Sequence, residues 1–91
     1  MQVMLCRNRV KDFPKWKKIF DSHAKAHREA GLFLLDFWRD IEEPNNLFFL
    51  FEVKDIAKAR VFINNPEAAA AGKAAGVMDG EYHFLEKSMG Y

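Results

Sequence analysis

The chain has 91 residues, of which 49% are hydrophobic and 30% charged, and its formal net charge is +1. A chain of this length buries only about 60–65% of the surface that its unfolded form exposes, so we expect residues 1–91 to form one small domain. The balance of 14 basic and 13 acidic residues excludes a global electrostatic field suited to nucleic acid or an acidic membrane. The single cysteine, Cys6, excludes an internal disulfide and a cysteine-based zinc site.

The N-terminal segment carries no signal for secretion or membrane insertion. It has no basic leader ahead of a long apolar region, and no run in the chain approaches 18 apolar residues. We therefore expect a soluble, cytoplasmic protein without a membrane span.

The first half of the chain predicts a strand, a long helix and a second strand. Gln2 to Val10 is a short, largely apolar run typical of a strand. Asp12 is a suitable N-cap for a helix that continues to about Ala30, and Gly31 stands where a helix-ending glycine is favoured. The apolar face of that helix recurs at spacings of three and four residues, through Phe13, Trp16, Phe20, Ala24 and His27.

The second strand, Leu32 to Asp40, reads as an alternating pattern. Its two faces are predicted to be Leu32, Leu34 and Asp36 against Phe33, Leu35 and Phe37. A polar turn over residues 42–46 then leads into a third strand, Leu47 to Val53, so the two strands are expected to form an antiparallel hairpin.

The remaining segments complete a β-α-β-β-α-β order. Asp55 can cap a second helix, which the Asn65-Pro66 step should end. A further short helix is expected from Pro66 to Gly76, and residues 81–86 form the fourth strand. This order is the ferredoxin-like arrangement, an α+β fold in which both helices cover one face of a four-stranded antiparallel sheet.

The third strand, "LFFLFEV", leaves the second face of that sheet to be explained. Leu47, Phe49, Phe51 and Val53 point one way, whereas Phe48 and Leu50 point the other. Helices can cover only one face, and an apolar patch of this size left in water is a strong association site. A monomer remains the alternative, but we expect a homodimer of two-fold symmetry in which the two sheets pack together.

Several stretches resemble the dimeric α+β barrel superfamily, which includes antibiotic-biosynthesis monooxygenases and small cyclase-like proteins. They are "DFPKWKKIFDSH" (12–23), "FWRD" (37–40), "PNNLFFLFEVKDIAKARVFI" (44–63) and "YHFLE" (82–86). The resemblance implies a dimeric barrel and an active site between sheet and helices. In the monooxygenase members it also implies oxidation of polycyclic aromatic substrates by O₂ without a metal or bound flavin, so no cofactor is expected.

His23 and His27 are the candidate catalytic residues. They stand four residues apart and share a helix face near the apolar stripe. A catalytic zinc site normally has three protein ligands, and "HAKAH" lacks the glutamate of the H-E-x-x-H motif, so no metal site is predicted. The alternatives are two histidines that only pack at the helix–sheet interface, or one that lines a pocket and transfers a proton near neutral pH.

A few other side chains could form an apolar pocket with scattered polar groups. The candidates for substrate binding are Asn8, Trp38, Phe62 and Tyr82, while Trp16 is better explained as core. Asn8 also matches the first-strand asparagine of haem-degrading relatives, but the second helix has no histidine, which counts against a haem role.

Two broader alternatives remain beside an enzyme. The same strand and helix order builds RNA-recognition domains, but the third strand lacks the basic residue and glycine that precede the aromatic residues in that motif. A non-catalytic homodimer that binds a small ligand or serves a structural role is compatible with every feature. The favoured prediction is a cofactor-independent monooxygenase, or a cyclase or isomerase, acting on a small aromatic or polyketide-like molecule.

Overall fold

The computed structural model describes residues 1–90 and confirms the predicted ferredoxin-like α+β fold. Four antiparallel strands form one sheet in the order β2-β3-β1-β4, and the helices lie on one of its faces. Within residues 1–90, no helix has the length and apolar character required to cross a membrane. The elements are β1 (Gln2–Val10), α1 (Phe13–Ser22), α2 (Ala24–Glu29), β2 (Leu32–Arg39), β3 (Asn46–Val53), α3 (Ile56–Ile63), α4 (Pro66–Ala74) and β4 (Val77–Glu86).

Both predicted carboxylate caps are present. Asp12 Oδ1 accepts a hydrogen bond from the backbone N–H of Lys15 at 3.2 Å, and Asp55 Oδ1 accepts one from Lys58 at 3.0 Å. Each bond satisfies a backbone donor that the first turn of a helix leaves without an intrahelical partner. The sequence therefore located the starts of α1 and α3 correctly.

The prediction of one continuous helix from Asp12 to about Ala30 is wrong at His23, where the chain breaks into α1 and α2. The His23 backbone N–H bonds to the carbonyl of Phe20 at 3.1 Å, three residues back. The Ile19 carbonyl instead accepts hydrogen bonds from Ser22 Oγ at 2.6 Å and His23 Nδ1 at 2.8 Å. These side chains therefore occupy the acceptor that a continuous helix would need.

The predicted alternation of β2 is also wrong beyond Leu34. Leu34 pairs with Phe51 and Asp36 pairs with Leu50, so Leu35 is an extra residue and the register shifts there. A bulge of one residue moves every following side chain to the other face. Phe37 consequently lies on the helix-covered face, where its ring stacks 6.2 Å from that of Phe49.

The alternation predicted for β3 sends four side chains into the core. Leu47, Phe49, Phe51 and Val53 are 0%, 6%, 2% and 6% exposed, beneath the helices. Trp16 is 2% exposed and its ring lies 5.6 Å from that of Phe49, which confirms its place in the core.

The fourth strand is longer than predicted. It begins at Val77 rather than at residue 81 and pairs with β1 along its whole length, with an irregularity between Arg9 and Val10. The sequence does not predict its first half as a strand, because neither Asp79 nor Gly80 is favoured in strands.

Candidate functional site

A cleft of about 1020 Å³ opens between the helices and the sheet. Its floor is the inner face of β1 and β3, where alternate residues of each strand point toward the helices. Its walls come from α1, α2, α3 and α4. The side chains that define the floor and the nearer walls are Met4, Cys6, Asn8, Phe49, Phe51, Trp16, Phe20, His23, His27, Phe62 and Tyr82.

The width of the cleft on its α4 side follows from the small residues of that helix. Ala68, Ala71 and Gly72 of α4, and Ala75 directly after it, all line the cleft. A Cβ atom added at Gly72 would meet only Val77 Cγ2, at 3.9 Å, so this wall has room to spare. Because Ala68, Ala71 and Gly72 contribute little side-chain volume, they leave space between α4 and the sheet.

His27 lies among aromatic rings on the wall of the cleft. Its ring centroid is 5.1 Å from that of Phe20, 5.2 Å from that of Phe51 and 5.5 Å from that of Phe62. Burial, and secondarily the nearby His23, lowers the pKa of His27 from 6.5 to about 4. The imidazole is therefore neutral at physiological pH, with one donor and one acceptor nitrogen.

His23 occupies the break between α1 and α2, and its ring centroid is 6.5 Å from that of His27. Its Nδ1 lies 2.8 Å from the carbonyl oxygen of Ile19 and 3.4 Å from Ser22 Oγ. A backbone carbonyl only accepts hydrogen bonds, so Nδ1 must carry the proton. This contact leaves Nε2 as the ring nitrogen with an available lone pair when the imidazole is neutral.

Asn8 supplies a polar group on the floor, away from the two histidines. Met4 pairs with Phe51, the residue whose ring contacts His27. Asn8 stands four residues along β1 from Met4, a separation of roughly 13 Å in an extended strand. Its carboxamide lies over Gly80, its partner on β4: a Cβ at Gly80 would be 2.6 Å from Asn8 Oδ1. Glycine at that position makes room for the amide, which forms no side-chain hydrogen bond within residues 1–90.

The cleft brings together five of the six residues predicted to act in catalysis or binding, and it leaves one out. Asn8, His23, His27, Phe62 and Tyr82 all line it. Trp38 lies on the other side of the sheet, 49% exposed and paired with Phe48. Because the bulge at Leu35 reverses the facing of β2, Trp38 cannot contribute to this cleft.

Sequence reasoning missed several lining residues. Met4 and Cys6 stand four and two residues before Asn8 on β1, and the two-residue period of a strand would have placed them on the same face as Asn8. The alanine-rich α4 offered a weaker signal, because a run of small residues also suits an exposed helix. The Cys6 thiol is buried on the floor, and burial raises its pKa to about 12, so it is inert as a nucleophile.

Metal binding has no structural support within residues 1–90. No group of three or more histidine, cysteine, aspartate or glutamate side chains in that range is arranged to hold a metal ion. The polar groups of the cleft include two imidazoles, an amide and a phenol, set among apolar side chains.

Comparison with known proteins confirms the resemblance at the level of the fold. No protein-family model matches the chain, and no curated protein matches it. Among solved structures, it is similar to two proteins described as candidate antibiotic biosynthesis monooxygenases. The protein from Bordetella bronchiseptica has a TM-score of 0.75 at 13% identity, with 97% of each chain covered. The protein from Deinococcus radiodurans has a TM-score of 0.71 at 14% identity, covering 100% of this chain and 96% of that one.

A third similar structure is described differently. It is an uncharacterised NIPSNAP domain protein from Burkholderia xenovorans, with a TM-score of 0.69 at 18% identity, covering 97% of this chain and 95% of that one. Identities this low establish a shared, monooxygenase-like fold and leave activity to be argued from the site.

Proposed function

We propose that the cleft is the active site of a cofactor-independent monooxygenase, or of a cyclase or isomerase, that acts on a small aromatic or polyketide-like molecule. The observation that carries this proposal is a large apolar cleft with two imidazoles on one wall and an amide on the floor. Small-molecule sites are typically apolar cavities in which a few polar groups fix orientation. The monooxygenase-like fold adds support.

The proposed chemistry begins with proton transfer from an acidic position of the substrate to a histidine. The carbanion that remains is delocalised over an aromatic or poly-carbonyl framework. In the monooxygenase reaction it adds to O₂, one oxygen atom stays on carbon as a new carbonyl, and the other leaves as water. In the cyclase or isomerase reaction the same carbanion attacks an internal carbonyl or is protonated at another carbon.

Oxygen consumption tests the proposal directly. We expect the wild-type protein to consume O₂ with polyhydroxylated naphthalenes or anthracenes. Replacing the histidine that accepts the proton, by His23→Gln or by His27→Gln, should reduce the rate by about 100-fold or more, the usual range for loss of a general acid or base. Lys25→Gln is the matched control, because Lys25 is exposed on α2 outside the cleft. If these compounds bind but neither react with O₂ nor isomerise, the alternative of a non-catalytic small-ligand-binding or structural homodimer is favoured.

We also propose that the chain forms a homodimer through the outer face of the sheet, the face opposite the helices. One half of this face is apolar. Trp38, Phe33 and Leu85 are 49%, 38% and 45% exposed on it, and Phe48 and Leu50 lie half-buried beside them. Packing this patch against a second copy would remove it from water. Each Å² of apolar surface buried in this way would stabilise the dimer by about 25 cal/mol.

The other half of the outer face is charged but internally paired. Arg7 contacts Glu81 and Asp79, each at 3.0 Å, and also donates a hydrogen bond to Asn46 at 2.9 Å. Hydrogen bonds from Arg9, then from Arg7, lower the pKa of Asp79. Because both signs of charge are already matched within one chain, a partner sheet could cover these residues without leaving an isolated charge.

The oligomeric state is testable by light scattering after gel filtration. We expect about twice the chain mass of 10.6 kDa for the wild type at micromolar concentration, and the monomer mass for Leu50→Glu. Lys25→Gln should remain dimeric. A wild-type mass near 10.6 kDa at that concentration would rule the dimer out. The cytoplasmic location stays a prediction from the sequence.

A further inference from the structure

We propose that the two histidines of the cleft have different roles: His23 takes the substrate proton through Nε2, and His27 stays neutral and holds the resulting anion by a hydrogen bond. This division of roles rests on the proposed function and deepens it. The sequence presents the pair as equivalent, since both lie on one helix face. The structure separates them by their contacts: a backbone carbonyl for His23 and phenylalanine rings for His27.

The base is assigned to His23 by its tautomer. The Ile19 carbonyl accepts from Nδ1 at 2.8 Å, and the same carbonyl accepts from Ser22 Oγ at 2.6 Å. The bond fixes the proton on Nδ1 and orients the ring, just as a carbonyl or carboxylate orients the base of other histidine-containing sites. Nε2 is then an acceptor on a ring that lines the cleft. When Nε2 gains a proton, the resulting imidazolium keeps its hydrogen bond from Nδ1 to the Ile19 carbonyl.

His27 is unsuited to the same task. Three phenylalanine rings pack within 5.5 Å of its ring centroid, and its ring nitrogens form no hydrogen bond within residues 1–90. Such surroundings penalise the charged imidazolium, and its low pKa agrees with that penalty. A neutral imidazole retains one N–H, which can donate to an oxyanion without taking a formal charge into the apolar wall.

The two roles reinforce each other electrostatically. The ring centroids are 6.5 Å apart, so a proton on His23 further disfavours a second one on His27. Other titratable or charged residues lining the cleft are Cys6, Glu29, Lys58, Glu67, Tyr82 and Glu81. The carboxylate of Glu81 is already bonded to Arg7 and His83 on the outer face.

The proton-transfer step balances without any further reagent. The O–H bond of a bound phenol breaks, its electron pair stays on the oxygen, and the proton forms a new N–H bond at His23 Nε2. The products are an imidazolium on His23 and a phenolate whose oxygen accepts the N–H of His27. Net charge is unchanged, because one cation and one anion form together.

A chromophoric phenol makes this step visible. The probe is 4-nitro-1-naphthol, whose ionised and neutral forms absorb at different wavelengths, titrated with wild-type protein at a pH at which the free probe is mainly neutral. We expect the bound probe to show the ionised spectrum. In His23→Asn the side-chain amide can replace Nδ1 as donor to Ile19 but offers no base, so this variant should fold normally, bind the neutral probe and lose the ionised signal.

A substitution of His27 tests the second role, the hydrogen bond to the anion. His27→Phe should leave the probe ionisable but weaken binding of the ionised form by about tenfold or more, the loss expected for one hydrogen bond to a charged group. Nitrogen-15 NMR of the free protein should show His23 protonated on Nδ1. Lys25→Gln should match the wild type in every measurement.

Distinct results would overturn the assignment. An ionised probe in His23→Asn, loss of ionisation in His27→Phe alone, or a proton on Nε2 of His23 with Nδ1 bare would each refute the division of roles while leaving the cleft as a ligand site. Failure of the wild type to bind 4-nitro-1-naphthol and polyhydroxylated aromatics would refute the proposed function itself, and the division of roles with it.

Discussion

Acidification should destabilise the protein through His27. The imidazole has an ordinary pKa of 6.5 and a pKa of about 4 in the folded chain, where burial and His23 disfavour its charged form. Above pH 6.5 it is neutral in both folded and unfolded states and contributes nothing. As the pH falls from 6.5 to 4, the unfolded chain binds a proton that the folded chain does not, so stability is progressively lost.

The size of the effect follows from the two pKa values. A difference of about 2.5 corresponds to about 3.4 kcal/mol at 1.36 kcal/mol for each pKa unit. His27 is only half-buried, so solvent screening reduces this figure, and we expect roughly 1.5–2 kcal/mol. Most of that loss should accumulate by pH 4.5. Asp79 and Glu81, whose pKa values are lowered by Arg9 and by His83 respectively, lose their contribution at still lower pH.

Urea unfolding at intervals from pH 7.5 to pH 4.5 measures this loss. His27→Gln and His27→Phe remove the titrating ring, so the free energy of unfolding of either variant should depend on pH less steeply than that of the wild type, by roughly 1.5–2 kcal/mol over this range. Each variant also changes packing, but that change is the same at every pH. Lys25→Gln should follow the wild type. Parallel curves for wild type and both His27 variants would refute the burial argument.

Three further substitutions test the fold and the cleft. Trp16→Ala should lower the free energy of unfolding by about 3–5 kcal/mol in urea, because the ring is 2% exposed within the aromatic core. Gly31→Ala should cost about 1–2 kcal/mol or more, since Gly31 has φ +76° and a Cβ there would lie 3.1 Å from the backbone nitrogen of Asp55. Gly90→Ala, with open space around it, is its control and should be neutral. Ala71→Leu should fill part of the cleft and weaken 4-nitro-1-naphthol binding in a fluorescence titration while leaving the unfolding midpoint near that of the wild type; unchanged binding would argue against the cleft as the ligand site.

The order of strands and helices was readable from the sequence because its signals are local. Asp12 and Asp55 cap the helices that they precede, and the alternation of Leu47, Phe49, Phe51 and Val53 places all four in the core. Capping depends on a side chain and a backbone N–H three residues away, and alternation depends on the two-residue period of a strand. Neither requires knowledge of distant parts of the chain.

The features that the sequence did not reveal depend on partners far along the chain or on competing hydrogen bonds. The bulge at Leu35 is defined by how β2 pairs with β3, and it alone puts Phe37 under the helices and Trp38 on the outer face. The break at His23 arises because side chains compete for the Ile19 carbonyl.

The sequence by itself determined the ferredoxin-like order and selected five residues that meet in one cleft: Asn8, His23, His27, Phe62 and Tyr82. Only the tertiary structure decided that a cleft exists, because a void is the space left when α1, α2, α3 and α4 pack over a sheet, and no single segment encodes it. The same packing made the two histidines unequal. His27 lies among phenylalanine rings and His23 is held by a carbonyl, a difference that their spacing of four residues does not contain.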